Sequence, residues 1–131
     1  KMANPELNVI AIGGDGGIYG EGLSHLIAAA RLNIDLTVIV ANNQLYSLTT
    51  GQSSPTTPKG SKTKSTPKGV ESVPVTPIEL IKAVNPEALA QRVSCNEPLK
   101  VNEAIEKAIK HKGFDLLDLN QLCVSFGKQL R

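Results

Sequence analysis

Aromatic residues are scarce in this sequence, and tryptophan is absent. Only 3% of the 131 residues are aromatic and 40% are hydrophobic, so the core must be built from aliphatic side chains. Two cysteines are too few for a disulfide framework, which makes a reducing cytoplasm the expected location. A net charge of +2 does not favour nucleic acid, and the apolar runs are too short to span a membrane. We expect one domain over residues 1–131, with neither nucleic acid nor membrane as a partner.

Hydrophobic periodicity predicts a βαβ unit near the start of the chain. Near-continuous apolar runs predict buried strands over 7–12 and 36–41. Between them, the i, i+3, i+4, i+7 spacing of apolar residues predicts a helix over 21–32.

The second half of the chain continues this alternation of strands and helices. A helix is predicted over 78–84, an amphipathic helix over 100–112 and a strand over 114–119. Residues 88–93 follow an Asn-Pro-Glu helix-start signal, so their local pattern allows either helix or strand. The whole pattern predicts an α/β layered fold with a parallel sheet.

The segment 49–77 has the composition of a disordered linker. Of its 29 residues, 24 are Thr, Ser, Pro, Gly or Lys. Long structureless stretches inside a domain are usually either functional or disordered. Composition alone leaves both interpretations open.

A glycine-rich turn with a central acid, residues 13–17, follows the first predicted strand. Its acid is Asp15, and an Asn-Asn pair ending in Asn43 follows the second strand. The carboxyl ends of adjacent parallel strands lie together, and their carboxylate and amide oxygens suit Mg²⁺. Gly16 and Gly17 would let backbone N–H groups approach a phosphate. This pattern predicts a site where Mg²⁺ joins Asp15 and Asn43 to a phosphate.

Other interpretations of the turn fit less well. Its glycines do not follow the G-x-G-x-x-G spacing of a dinucleotide site, and the Lys-Ser/Thr of a P-loop is absent. The structural alternative is a tight turn in which Asp15 caps the next helix and the two asparagines are ordinary turn residues. Two motifs at matching strand ends favour the metal site over this alternative.

The residues "GDG" at 14–16 and "NN" at 42–43, 25 residues apart, resemble the thiamine diphosphate-binding motif of thiamine-dependent enzymes. Two longer segments narrow the resemblance to the β subunit of 2-oxoacid:ferredoxin oxidoreductases. They are "HLIAAARLNIDLTVIVANNQLYSLTTGQSSPTTPKGSKT" and "IKHKGFDLLDLNQLCVSF". The resemblance covers most of residues 7–126 and implies that family's parallel-sheet, thiamine diphosphate-binding fold. It also favours a strand over 88–93, where the local signals favour a helix.

The resemblance also implies roles for individual residues. Mg²⁺ would be bound by Asp15, by the side-chain oxygen of Asn43 and by the backbone carbonyl of Leu45. The residues implied in cofactor binding are Gly14, Gly16, Gly17, Leu45, Thr49 and Gly51. The stretch 49–60 would wrap the active site, so segment 49–77 is expected to be an ordered functional loop. The family often has a second acid at the position of Gly17, and this chain lacks it.

Cys123 matches a family cysteine that supplies one ligand of a [4Fe-4S] cluster. The three other family ligands precede the thiamine motif. Because this sequence begins with Lys and lacks them, we expect it to be a core fragment without its N-terminal part, so a cluster would require those missing cysteines. Leu48 occupies a position where pyruvate-specific relatives tend to have Asn, which favours 2-oxoglutarate or a broader range of 2-oxoacids.

The activity implied by the resemblance is oxidative decarboxylation of a 2-oxoacid to acyl-CoA. Electrons would pass through the iron–sulfur cluster to ferredoxin, and coenzyme A would take the acyl group. The family's α subunit usually supplies the acid that activates the cofactor, so the chain is expected to be inactive alone, and no catalytic residue is assigned to it. Two alternatives stay open: a non-oxidative thiamine-dependent decarboxylase or ligase subunit, and a non-catalytic remnant of the family.

Overall fold

Four parallel strands form the central sheet of the structure, a computed structural model that describes residues 1–130. In chain order the elements are β1 (Ile10–Gly14), a π-helical turn (Gly16–Glu21), α1 (Leu23–Arg31), β2 (Leu36–Asn42), β3 (Leu45–Tyr46), β4 (Gln52–Ser53), α2 (Pro77–Val84), β5 (Leu89–Ser94), α3 (Pro98–Lys110), β6 (Phe114–Asn120) and a 3₁₀ turn (Gly127–Leu130). The strand order is β1-β2-β6-β5, and β3 pairs antiparallel with β4 beside the sheet. The predicted α/β fold with a parallel sheet is therefore confirmed.

Helices cover both faces of the sheet. The larger core lies under α1 and α2 and contains Tyr19, Leu26, Ala30, Val38, Val40, Ile81, Ala88, Phe114 and Leu116. A smaller core under α3 contains Ile39, Ala104 and Leu117. Because alternate residues of a strand face opposite sides, a central strand covered on both faces is largely apolar, as β2 is apart from Thr37 and Asn42. No helix among residues 1–130 has the length and apolarity needed to cross a membrane.

The first strand differs from its prediction in position and in burial. It runs over Ile10–Gly14 instead of 7–12, because pairing with β2 continues into the glycine turn as far as Gly14 opposite Ala41. The prediction that it is buried is wrong, since Ile10 is 41% exposed and Ile12 is 73% exposed. β1 is an edge strand, and an apolar run does not specify a strand's place in the sheet.

The helix predicted over 21–32 begins after a turn that the sequence did not reveal. The π-helical turn ends where the Gly22 N–H donates to the Gly17 carbonyl at 2.8 Å, and α1 follows over Leu23–Arg31. A Cβ on Gly22 would lie 2.8 Å from that same carbonyl oxygen, so the wide turn requires glycine there. Glycine-rich sequence has no apolar periodicity, which is why the turn was missed.

The remaining predicted elements are present with small shifts at their ends. The stretch 88–93 forms β5 and pairs with β6 from Leu89 to Ser94, which confirms the strand that the resemblance favoured over the helix of the local signals. The Asn85 side chain accepts a hydrogen bond from the Glu87 N–H at 3.0 Å, so the helix-start signal forms a turn. The helix predicted over 100–112 begins two residues earlier, at Pro98, and ends at Lys110.

The segment 49–77 folds against the carboxyl edge of the sheet. It contains β4, and six of its side chains are buried: Ser54, Thr56, Thr57, Thr63, Val70 and Pro77. Backbone hydrogen bonds close it on itself, from Gly60 to the Val70 carbonyl at 2.8 Å and from Val70 to the Ser61 carbonyl at 2.9 Å. Its many Ser and Thr residues therefore include buried hydrogen-bonding groups as well as solvated ones.

Candidate functional site

A cavity of about 390 Å³ opens at the carboxyl edge of the sheet, where β1 and β2 end. It is lined by Gly14, Asp15, Gly16, Gly17, Asn43, Leu45, Tyr46, Ser47, Leu48 and Thr49. Parallel pairing places Gly14 opposite Ala41, so the turn after β1 and the asparagine pair after β2 meet at this edge. The structure thus brings together every residue implied in binding Mg²⁺ and all those implied in binding thiamine diphosphate except Gly51, while Cys123 does not line this cavity.

Asp15 is almost completely buried, with 1% of its surface exposed. Its side chain makes no capping hydrogen bond to the turn that follows, so the alternative that it serves as a helix cap is wrong. Instead, its Oδ2 accepts hydrogen bonds from the Ser54 hydroxyl at 2.5 Å and from the Thr56 hydroxyl at 2.9 Å. Segment 49–77 therefore reaches the carboxylate directly.

Asn43 and Leu45 supply the other oxygen donors of the cavity. The Asn43 Oδ1 accepts a hydrogen bond from the Leu45 N–H at 3.0 Å, which fixes the amide and its neighbouring backbone as one turn. A carboxylate, an amide oxygen and a backbone carbonyl at one cavity form the hard-oxygen set that suits Mg²⁺, which also takes phosphate ligands. Within residues 1–130, no three His, Cys, Asp or Glu side chains cluster as a metal-binding group.

The glycines of the turn divide into packed and open positions. A Cβ on Gly16 would lie 2.3 Å from the Tyr46 ring, so any side chain there would displace that ring. A Cβ on Gly14 or Gly17 would meet no atom within 4 Å. The position of Gly17, where the resemblance implied a missing second acid, therefore has room for a side chain.

Of three further residues singled out in the sequence, Leu48 and Thr49 line the cavity and Gly51 does not. Leu48 is 99% exposed at the cavity mouth, and the Thr49 hydroxyl donates to the Tyr46 carbonyl at 3.2 Å. Gly51 does not line the cavity. Its φ of +74° and its position under the Phe126 ring, which a Cβ would approach to 2.6 Å, give it a structural reason to be glycine.

Cys123 is buried near the cavity, with 8% exposure, whereas Cys95 is exposed. The Phe126 N–H donates to the Cys123 sulfur at 3.3 Å. Burial raises the pKa of this thiol, but the Ser47 hydroxyl and the backbone N–H groups around Phe126 outweigh it and lower the pKa below its usual value. Such an environment favours the thiolate, which is the form that binds metal.

A line of polar side chains behind the cavity was missed by the sequence analysis. The Asn42 Nδ2 donates to Asp118 Oδ2 at 2.9 Å, and the Tyr19 hydroxyl donates to the same oxygen at 2.7 Å. The Arg92 guanidinium binds the Asp118 carboxylate through Nε at 3.0 Å and through Nη2 at 3.3 Å. One signal was available, since charged residues at positions 115 and 118 interrupt the apolar residues of this strand.

These contacts raise the pKa values of Tyr19 and Arg92, the two ionisable partners of Asp118. Burial, and then the charge and hydrogen bond of Asp118, raise the pKa of the Tyr19 hydroxyl far above its usual value. The hydrogen bond to Asp118 likewise raises the pKa of Arg92. Both partners therefore keep their protons and act only as donors.

The known proteins that this chain resembles include a thiamine pyrophosphate-binding domain family and subunits of 2-oxoacid oxidoreductases. Residues 1–119 match the family described as "Thiamine pyrophosphate enzyme, C-terminal TPP binding domain". The chain is 45% identical over 126 residues to the 2-oxoacid:ferredoxin oxidoreductase subunit beta of Saccharolobus solfataricus, covering 96% of this chain and 41% of that protein. It is 41% identical over 132 residues to the 2-oxoglutarate synthase subunit KorB of Methanothermobacter marburgensis, covering 100% of this chain and 46% of that protein.

A solved structure agrees with these sequence matches. The 2-oxoglutarate:ferredoxin oxidoreductase from Magnetococcus marinus, with 2-oxoglutarate, coenzyme A and succinyl-CoA bound, matches with a TM-score of 0.90 and 30% identity. The match covers 95% of this chain and 42% of that one. The chain thus spans less than half the length of the relatives it matches.

Proposed function

The chain belongs to the thiamine pyrophosphate enzymes, in the family of their C-terminal cofactor-binding domain, and on this premise we propose its activity. It is the thiamine diphosphate- and Mg²⁺-binding part of a 2-oxoacid:ferredoxin oxidoreductase β subunit. The observation that carries this proposal is the meeting of Asp15, Asn43 and Leu45 at one cavity beside the glycine turn. The names of the relatives support the oxidoreductase class.

The chain's own residues would hold the cofactor by its diphosphate end. Asp15, the Asn43 amide oxygen and the Leu45 carbonyl would bind Mg²⁺, whose charge offsets that of the diphosphate. Gly16 and Gly17 have no side chains to block their N–H groups, so these can also face the phosphates. Bound in this way, thiamine diphosphate supplies a carbon nucleophile and an electron sink for decarboxylation.

The oxidative half of the reaction depends on groups beyond this chain. Cys123 would provide one thiolate to a [4Fe-4S] cluster, and its hydrogen bonds would tune that sulfur. The remaining ligands would come from the rest of the β subunit. An α subunit would complete the active site, coenzyme A would accept the acyl group, and ferredoxin would take the electrons in the cytoplasm.

Leu48 would influence which 2-oxoacid the enzyme accepts. Its apolar side chain is exposed at the cavity mouth, where an amide at the same position could donate hydrogen bonds. Because the resemblance implies that pyruvate-specific relatives tend to have Asn at this position, we propose that the substrate is 2-oxoglutarate or a range of 2-oxoacids and not pyruvate alone. Comparing kcat/KM for pyruvate and 2-oxoglutarate tests this choice, and a marked preference for pyruvate would contradict it.

The proposed function is tested on the full-length β subunit purified anaerobically with its α subunit. Thiamine diphosphate and iron are quantified, and reduction of a low-potential dye is followed with 2-oxoacid and coenzyme A. The proposal expects both cofactors and 2-oxoacid-dependent reduction. Thiamine diphosphate without iron would favour the non-oxidative alternative, and the absence of both would favour the non-catalytic remnant.

A further inference from the structure

A hydrogen-bonded line of side chains crosses the carboxyl edge of the sheet in the order of its strands. It runs from Arg92 in β5 through Asp118 in β6 and Asn42 in β2 to Thr56, which binds Asp15 after β1. All of these side chains except Arg92 belong to residues at most 4% exposed. Residues from three strands and a loop thus support one carboxylate.

The orientation of Asn42 follows from its neighbours. Asp118 accepts hydrogen bonds from Tyr19 and Arg92, so it acts as an acceptor toward Asn42 and the Asn42 Nδ2 must face it. The Asn42 Oδ1 then faces the opposite way, toward the Thr56 hydroxyl at 2.9 Å, and also accepts the Gln44 N–H at 3.2 Å. The Asn42 side chain, whose oxygen faces Thr56, is therefore held in one orientation.

Thr56 has one hydroxyl proton and three oxygen neighbours: Asp15 Oδ2 and Asn42 Oδ1, each 2.9 Å away, and the Ser54 hydroxyl at 3.2 Å. The Asp15 carboxylate is the stronger acceptor because it is charged, whereas the Asn42 oxygen already accepts a backbone N–H. The proton therefore goes mainly to Asp15 Oδ2, which Ser54 also binds. Among the described residues, both hydrogen bonds to this carboxylate are made to Oδ2.

From this geometry we infer that Thr56 is a positioning residue for the metal ligand Asp15. By holding Oδ2, it fixes the rotation of the carboxylate and leaves Oδ1 for the cation. A restrained ligand loses less freedom when the metal binds, so the affinity for the metal rises. This inference rests on the proposed function, because it assumes that Asp15 binds Mg²⁺.

The chain offers a matched control in the next residue. Thr57 is also a buried threonine of segment 49–77, with 1% exposure. Its hydroxyl donates to the Gln44 carbonyl at 2.5 Å and accepts the Ser54 N–H at 2.8 Å, with no hydrogen bond to Asp15. Replacing Thr57 by Val therefore removes a buried hydroxyl from the same loop without removing a hydrogen bond from the metal ligand.

The experiment measures Mn²⁺ as a substitute for Mg²⁺ in the full-length αβ complex, freed of metal and supplied with saturating thiamine diphosphate. The free Mn²⁺ signal in electron paramagnetic resonance reports the dissociation constant independently of activity. We expect Thr56→Val to weaken Mn²⁺ binding about tenfold or more, the usual effect of removing a group that orients a metal ligand. Thr56→Ser, which retains the hydroxyl, restores binding to within about threefold, and Thr57→Val stays within the same range.

Three outcomes would overturn the inference: wild-type affinity in Thr56→Val, an equal loss in Thr57→Val, or no rescue by Thr56→Ser. If the Thr56→Val complex does not assemble, Ser54→Ala removes the other hydroxyl on Oδ2 and must weaken Mn²⁺ binding in the same way. If the wild-type complex binds thiamine diphosphate but Asp15→Ala leaves Mn²⁺ affinity unchanged, the metal assignment in the proposed function fails as well. The two failures are therefore distinguishable.

Discussion

Strand β6 has two buried aspartates, three residues apart, that face opposite sides of the sheet. Asp118 accepts hydrogen bonds from Tyr19, Asn42 and Arg92, at distances from 2.7 to 3.3 Å. Asp115 on the other face forms an ion pair with His111 when the histidine is protonated, with His111 Nδ1 2.8 Å from Asp115 Oδ1. Neither of these two atoms makes a hydrogen bond of normal geometry among residues 1–130.

The difference shows that burial alone does not decide what a carboxylate does. Burial raises the pKa of Asp115 to about 6, and the nearby His111 lowers it only in part. Asp118 is at least as buried, yet its donors come from three elements and connect it to the candidate metal site. We interpret Asp118 as part of the support of the site and Asp115 as a buried acid that weakens the fold when ionised.

Removing the Asp118 carboxylate should cause the largest loss of stability among the variants that compare the two aspartates. Asp118→Ala leaves the Tyr19 hydroxyl and the Asn42 amide without their acceptor, and leaves the Arg92 charge unpaired. We expect a loss of about 3–5 kcal/mol in the free energy of unfolding, measured by urea denaturation. Asp115→Ala serves as the control, and an equal loss there would end the distinction between the two residues.

Removing one donor should have a smaller effect. Tyr19→Phe deletes the 2.7 Å hydrogen bond to Asp118 and retains the aromatic ring in the core. Because the acceptor is charged and buried, we expect a loss of about 2 kcal/mol in the same urea measurement. Tyr46→Phe is a suitable control, since its hydroxyl lies at the surface beside Glu21. Equal losses in the two variants would mean that the Asp118 contact contributes nothing specific.

Asp115→Asn should have the smallest effect, a gain in stability that depends on pH. Asp115 has a raised pKa of about 6 in the fold against 3.8 in an unfolded chain, so the native state binds the proton more tightly. Stability contributed by the protonated carboxyl is complete below about pH 4 and is lost as the pH rises through 6. Asp115→Asn should therefore be more stable than wild type by about 1 kcal/mol at pH 8, after the cost of burying the new amide.

The same comparison at pH 4 tests the sign of that effect. There both the carboxyl and the amide are neutral in the fold, so the advantage of Asp115→Asn should disappear. His111, Asp35 and Thr37 contribute to this environment and are unchanged in the variant. An advantage of equal size at both pH values would show that ionisation of Asp115 is not its cause.

Much of the fold could be predicted because it follows from local pattern. Strand β2 is largely apolar since both of its faces are covered, and α3 shows one apolar face along its length. The meeting of Asp15 and Asn43 followed from one rule, that parallel strands end at the same edge. These features depend on residues close in sequence or on a general property of sheets.

The features that were missed depend on contacts between distant parts of the chain. Tyr19 and Asp118 are 99 residues apart, and Asn42 and Asp118 are 76 apart, so no local pattern indicates that they bond. The composition of segment 49–77 likewise gave no sign that Ser54 and Thr56 would bind Asp15. Exposure of β1 was missed because it depends on the order of strands, which apolarity does not encode.

We propose that Asp15 binds the metal that holds thiamine diphosphate. This proposal can be tested by calorimetric titration of thiamine diphosphate into the metal-free αβ complex, with Mg²⁺ or with a chelator. We predict binding only with Mg²⁺ in wild type and in Asp115→Ala, and a loss of at least about a hundredfold in Asp15→Ala. Equal Mg²⁺-dependent binding in Asp15→Ala and wild type would contradict the claim.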